Sequence, residues 1–260
     1  MATKWTGLML LGALGVAQAQ TAPPVDPLST RPGWETGLQA SRYRYEEPDF
    51  AKLTGNRAGL SAAYTEVDGR AFGRFEARYS YGSLTYQGSG TQNDVPDHIF
   101  ELRAIGGADY RPGSRVSLSP FAGLGYRYLY DDLRGYDVVG NVAYFGYRRY
   151  SQYLYLPLGL TARLSAGRGW VLAPTVEYDV FLRGRQQSKL SDTGFAGAQD
   201  ITNEQRHGRG WRASFMIEAG HLTFGPWVDY WSIKDSEVSN GFFEPASHTR
   251  EAGIEVRYRF

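Results

Sequence analysis

Apolar and polar residues alternate along most of this chain with a period of two, in recurrent blocks. The block from Val116 to Tyr130 is the clearest. Val116, Leu118, Pro120, Ala122, Leu124, Tyr126, Tyr128 and Tyr130 share one face, and Ser117, Ser119, Phe121, Gly123, Gly125, Arg127 and Leu129 share the other. Neighbouring side chains of an extended strand point to opposite sides, whereas a helix repeats every ~3.6 residues, so the block predicts a strand.

The same two-sided pattern returns along the chain. In 71–81, Phe75, Ala77, Tyr79 and Tyr81 oppose Arg74, Glu76 and Arg78. In 98–110, Phe100, Leu102, Ala104, Ala108 and Tyr110 oppose Glu101, Arg103 and Asp109. In 152–164, Leu154, Leu156, Leu158 and Leu160 oppose Tyr153, Tyr155, Thr161 and Arg163. In 170–182, Val176, Tyr178 and Val180 oppose Thr175, Glu177 and Asp179. In 211–219, Trp211, Ala213, Phe215 and Ile217 oppose Arg212, Ser214 and Glu218, and in 222–230 Leu222, Phe224, Val228 and Tyr230 oppose Thr223 and Asp229. The chain ends with Ala252, Ile254, Val256, Tyr258 and Phe260 against Glu251, Glu255, Arg257 and Arg259. Weaker alternation over 34–46 and 57–66 completes ten predicted strands.

A soluble sandwich also alternates. Three features point instead to an all-β, ten-stranded antiparallel transmembrane barrel. The blocks run to ~9–13 residues, a length that crosses hydrocarbon at a tilt. Aromatic residues gather at block ends, as Tyr126, Tyr128, Tyr130 and Trp170 do, which suits the two membrane–water boundaries. Connections alternate between short ones at Asp68-Gly69, Pro112-Gly113, Ala166-Gly167 and Ala219-Gly220 and long ones at 47–56, 82–96, 131–150, 184–208 and 234–249. Four turns and five loops put both ends of the barrel domain, 34–260, on the short-turn side.

Bulk composition adds little except in aromatics. A net charge of +1 gives no case for nucleic acid, and a mean hydropathy of −0.42 would suit a soluble protein. Nineteen Tyr, thirteen Phe and six Trp do not look ordinary, nor do 32 Gly. Cysteine is absent, which excludes a disulfide scaffold or a thiolate metal site. At the start, Lys4, the apolar run Leu8 to Val16 and Ala17-Gln18-Ala19 read as a cleaved export signal over 1–19. Residues 20–33 read as a disordered lead-in.

The signal segment, the alternating strands and the final Tyr258-Arg259-Phe260 together resemble bacterial outer-membrane β-barrel proteins. The resemblance covers the whole mature chain as a pattern and implies residence in the outer membrane, contact with its lipid and lipopolysaccharide, and recognition of Phe260 by the barrel-assembly machinery. Ten strands resembles the omptin proteases and certain adhesins, while opacity-like barrels have eight.

The polar faces define a predicted lumen. Its basic set is Arg74, Arg78, Arg103, Arg127, Arg163, Arg212, Arg257 and Arg259. Its acidic set is Glu76, Glu101, Glu177, Asp179, Glu218, Asp229, Glu251 and Glu255, so eight charges face eight. A barrel this narrow is close to being filled by side chains, which favours a paired, blocked network; a small channel for solutes is the alternative. No cofactor or metal motif stands out. The resemblance to omptins implies facing acidic and histidine residues at a rim, for which Asp94, Asp97 and His98 on one side and Asp200 and His207 on the other are available. No Asp-x-His pair occurs. Ser247-His248 offers a weak esterase-like pair, and Asp131, Asp132 and Asp137 a cluster without the spacing of a cation loop. The third loop is the most distinctive, with Arg134, Tyr136, Tyr144, Tyr147, Arg148 and Arg149 as candidate binding residues of types common on recognition surfaces. Arg148 and Arg149 are candidates for lipopolysaccharide phosphates. The expectation is therefore a non-enzymatic surface or structural barrel acting through its loops.

Overall fold

The computed structural model describes residues 26–239 and 241–260; the signal segment 1–19 lies outside them. Ten strands close into one antiparallel barrel: β1 (Gly33–Glu47), β2 (Ala51–Asp68), β3 (Ala71–Gln87), β4 (Thr91–Ala108), β5 (Val116–Asp132), β6 (Arg148–Gly167), β7 (Trp170–Ser188), β8 (Gly208–Ala219), β9 (Leu222–Ile233) and β10 (Ser247–Arg259). Each pairs with its sequence neighbours, and β1 also pairs with β10 from Glu35↔Arg259 to Glu46↔His248. Closure leaves no open edge and satisfies the backbone without water, as a membrane-spanning sheet requires.

Two ends result. At the turn end, connections of two residues follow β2 and β8, where Gly69 and Gly220 hold φ of +60° and +59°. A side chain would be strained there. At the loop end the expected long loops are largely strand. The first connection is only residues 48–50 and the second only 88–90, so β1 to β4 run well past the expected limits. The third carries a small hairpin, Tyr136–Val139 against Val142–Phe145, and the fourth a single 3-10 turn, Leu190–Thr193, and a strand, Ile201–Gln205, that extends the pairing of β7.

The extended strands escaped the pattern because the alternation changes sign along them. In the middle of the barrel the outward file is apolar: Leu38, Leu60, Phe75, Leu124, Leu158, Val176 and Ile254 are exposed. The inward file there is polar or charged. Towards the loop end the outward file turns polar, as Asn56, Thr54 and Lys52 on β2 and Ser83 and Thr85 on β3 show, while Leu53, Leu84, Val95 and Ile99 turn inward and are buried. Apolar side chains face lipid where there is lipid, and face inward where the outside is water.

Those inward apolar residues form a layer across the lumen. Tyr43, Leu53, Leu84, Val95, Ile99, Leu129, Leu133, Tyr153, Tyr155, Phe181, Trp231 and Ile233 are buried in one cluster, drawn from eight of the ten strands and, for Leu133, from the residue after β5. Burying each large side chain contributes about 1.5–3 kcal/mol. Glycines opposite make the room. Gly125 lies beside Tyr155 in the β5–β6 register, and a Cβ there would sit 2.1 Å from the Tyr155 ring. Gly159 bears the same relation to Phe121, at 2.2 Å. Much of the glycine excess thus serves to seat lumen aromatics against a neighbouring strand.

The turn end is covered by the chain itself. The lead-in, expected to be disordered, is held from residue 26 onward. The Thr30 N–H and hydroxyl both donate to Asp109, at 2.6 and 2.8 Å. Arg31 donates to Glu218 and to the Gly220 carbonyl, Asp26 pairs with Arg111, and Leu28 is buried. Buried acceptors just after β4, at Asp109, and on β8, at Glu218, give these residues partners that composition does not reveal.

Gly125→Ala is expected to destabilise the barrel by about 1–3 kcal/mol, since overpacking displaces the Tyr155 ring. Heat-modifiability on denaturing gels and the urea midpoint in detergent measure it. Gly113→Ala, where a Cβ meets nothing within 4 Å, serves as the control.

Candidate functional site in the lumen and at the loop end

Lumen charges are placed by the alternation and paired by cross-strand proximity. At mid-height Arg212 is the hub. Its Nη1 donates to Glu101 at 2.8 Å and its Nε to Asp179 at 3.0 Å, and Nη2 reaches the Tyr155 hydroxyl. Tyr155 in turn donates to Glu101 at 2.7 Å. Arg78 lies 3.1 Å from Glu101, and Arg127 donates to Asp229 at 2.9 Å. Below, Arg103 joins Glu76 and Glu177, while Arg74 joins Glu76 and Glu35 at 2.7 and 2.6 Å. Arg257 lies between Glu35 and Glu255, and Arg259 pairs with Glu35. Arg163 reaches Glu218 at 3.4 Å, and Glu251 accepts from Ser41 at 2.6 Å. All sixteen expected lumen charges therefore face inward and each has a charged or hydroxyl partner. A cavity of about 240 Å³ remains in the turn-end half, lined by Arg74, Arg103, Arg163, Glu177 and Glu218 among others, with Thr30 of the lead-in at its wall.

Sequence reasoning missed several members. Glu35, Arg57 and Asp97 are buried in the lumen beside the expected set. Arg57 pairs with Asp97 and Glu251 while lying 3.2 Å over the Tyr43 ring. Glu35 and Arg57 sit on the two strands that alternate least cleanly. Their signal was period-two spacing from Gln39 and Tyr43, and from Ser61 and Thr65.

The candidate third-loop residues are not brought together. Arg148 and Arg149 follow one another at the start of β6 and point to opposite faces. Arg148 clamps Asp192 of the fourth connection, with Nε and Nη2 at 2.8 and 2.6 Å. Arg149 turns inward, is buried, and joins Glu47 and Glu244. It is thus closed to a lipid phosphate. Arg134 folds back on Asp132, Tyr144 and Tyr147 are half-buried, and Tyr136 lies in the hairpin opposite Phe145 in register. Glu244 ties connection 234–246 down over the loop end. Burial pushes its carboxyl up to about 7; Arg149 opposes that shift and Glu47 adds to it.

No protein-family model and no curated protein matches the chain. Solved structures do. The outer membrane protease OmpT from Escherichia coli aligns with 88% of this chain and 94% of its own, at TM-score 0.56 and 9% identity. Neisserial surface protein A aligns with 88% and 97%, at TM-score 0.40 and 12% identity. This is the fold of an outer-membrane β-barrel. At such identities the likeness concerns the fold alone.

Within that fold the candidate rim groups fall apart. Asp97 points into the lumen and is fully buried with Arg57, whereas the adjacent His98 points outward, its Nδ1 2.7 Å from the Tyr79 hydroxyl, among Tyr81 and Tyr130. Asp94 accepts from Ser83. Asp200 is held by Lys189 and Ser191, and His207 is exposed. Ser247 is buried inward, while His248 stacks outward on Tyr230. Asp131, Asp132 and Asp137 take separate partners or faces: Asp132 bonds Arg134, Asp137 accepts from the Thr91 N–H, and Asp131 pairs in register with Asp97. Among the described residues no group of three or more His, Asp or Glu is placed to hold a metal.

Arg212→Met is expected to cost about 3–5 kcal/mol, because Asp179 is left as a buried charge without its cation and Glu101 keeps only Arg78 and the more distant Arg127. The urea midpoint in micelles measures it, and adding Glu101→Gln is expected to restore part of the loss. For the 234–246 connection the sign follows from Glu244. A carboxyl held above its unfolded value stabilises fully below pH ~4.5 and loses that contribution as pH rises through about 7. Amide exchange in 234–246, corrected for intrinsic rate, is expected to quicken between pH 5 and 8 in the native chain and to be level in Glu244→Gln.

Proposed function

We propose that this chain is an integral outer-membrane protein, exported by its 1–19 segment, that acts without catalysis as a rigid, plugged barrel displaying its loop-end hairpins. The turn end would face the periplasm and the loop end the exterior. Phe260, 71% exposed after an alternating strand, would serve recognition by the barrel-assembly machinery. The carrying observation is the filling of the lumen. A paired charge network occupies its middle, an apolar layer lies above it, and residues 26–32 cross the turn end. In addition, all four histidines lie off the lumen: His98 and His248 on the outer wall, His207 exposed near the loop end, and His221 at the turn end against Tyr258.

The hairpin supports a role in surface interaction. Val138, Val139 and Val142 are each about half exposed near its tip, and Phe145 meets Phe195 of the next connection edge-on at 4.9 Å. Exposed apolar side chains above the membrane suit contact with another molecule.

In planar bilayers the native protein is expected to show no stable conductance. Trp231→Ala with Tyr155→Ala, which opens the apolar layer, is expected to produce flickering steps. Stable nanosiemens openings of the native chain would overturn the plugged reading in favour of a channel.

A further inference from the structure

The cavity in the turn-end half of the lumen has no part in plugging the barrel. Two unlike walls face one another across it. One, from β3, β4 and β10, carries Glu76, Arg78, Arg103 and Arg257. The other, from β5 and β7 to β9, carries Phe121, Met216 and Trp227, with the hydroxyls of Thr175 and Ser214 among them. Met216 and Trp227 pack with Ala173 as one buried apolar cluster.

Polar surface in so narrow a barrel is mostly consumed by pairing. At mid-height Arg127, Glu101 and Asp229 keep only 1–2% of their side-chain surface. Around the cavity Glu76 and Arg257 keep 22%, although both face inward. Each of these charges is nonetheless matched: Glu76 by Arg74 and Arg103, Arg78 by Glu101 and Asp229, and Arg257 by Glu35 and Glu255. A charged ligand would displace one of those partners and leave it buried without a counter-charge. A hydroxyl would not. It both donates and accepts, so it can bond the open side of an arginine or of a glutamate while the ion pair stays intact. On the opposite wall the Trp227 indole N–H is a buried donor with no hydrogen-bond partner among the described residues. The apolar cluster beside it suits the C–H face of a ring. The volume, about 240 Å³, lies below the ~300 Å³ at which pockets for larger ligands begin, so one ring fits and a chain of rings does not.

Access is from one side. The charge network and the apolar layer close the lumen towards the loop end. At the turn end Thr30 stands at the cavity wall, and the strap 26–32 is fixed by side-chain contacts to Asp109, Glu218 and Arg111 rather than by strand pairing.

We propose that this cavity binds a single uncharged polyhydroxylated ring, a monosaccharide or a cyclitol, admitted from the turn end when the strap lifts. A blind pocket fills without opening the barrel, so ligand binding and the absence of conductance fail separately.

The test is calorimetric titration of purified full-length protein in lauryldimethylamine oxide, a detergent without sugar. The neutral probes are glucose, galactose, N-acetylglucosamine and myo-inositol; gluconate and proline are the charged and zwitterionic counterparts. Saturable one-site binding of at least one neutral probe is expected, and none of gluconate or proline. Ser214→Leu and Thr175→Leu each extend a side chain into the cavity and are expected to weaken binding by about tenfold or more. Heat-modifiability shows that each is folded, and if one is not, the other decides. Thr30→Ala with Arg31→Ala is expected to speed association in stopped-flow tryptophan fluorescence. No saturable binding by any neutral probe, affinity unchanged in a folded cavity-filling variant, or gluconate or proline bound as tightly as the neutral rings would overturn the proposal. An association rate unchanged by the strap substitutions would overturn the entry route.

Discussion

Charges inside a ten-stranded barrel have too little room to keep their water, so each must find a partner across the lumen. This requirement organises the molecule. Arg212 contacts Glu101 from β4, Asp179 from β7 and the Tyr155 hydroxyl from β6, and it tethers these strands through one side chain. Arg127 and Arg78 close the same cluster onto Asp229 of β9. Such a network makes little net contribution relative to an apolar core, but losing one member strands its partners. It therefore specifies register more than it supplies stability.

The apolar layer above the network obeys the complementary rule. Past the lipid belt, the outer faces of the strands meet water and carry polar residues, and large apolar side chains turn inward. The barrel is thus a membrane protein in its middle and an ordinary water-soluble β structure at its loop end, within continuous strands. That change keeps the long hairpins rigid above the membrane and seals the lumen at the same time. The Arg149, Glu47 and Glu244 group fastens the last connection to this end.

The outer wall shows what unpaired charge looks like by contrast. Inside, cations are matched. Outside, some are matched, as Arg134 is with Asp132 and Arg148 with Asp192, while others such as Arg42 and Arg185 have no carboxylate partner.

Period-two alternation by itself determined the barrel class, the ten strands, the four tight turns and the inward direction of all sixteen expected lumen charges. It could do so because side-chain direction in a strand is set by position alone. It did not reach the loop ends, since the faces exchange polarity there and a strand such as Ala51–Asp68 looked like a loop followed by a weak strand. Nor could it show that Arg148 and Arg149 diverge with different partners, that Asp97 and His98 face opposite sides of the wall, or that Thr30 docks on Asp109. Pairings of this kind join residues far apart in the chain, 79 positions for Thr30 and Asp109 and 111 for Arg212 and Glu101. Only closure of the barrel decides which strand wall each side chain meets.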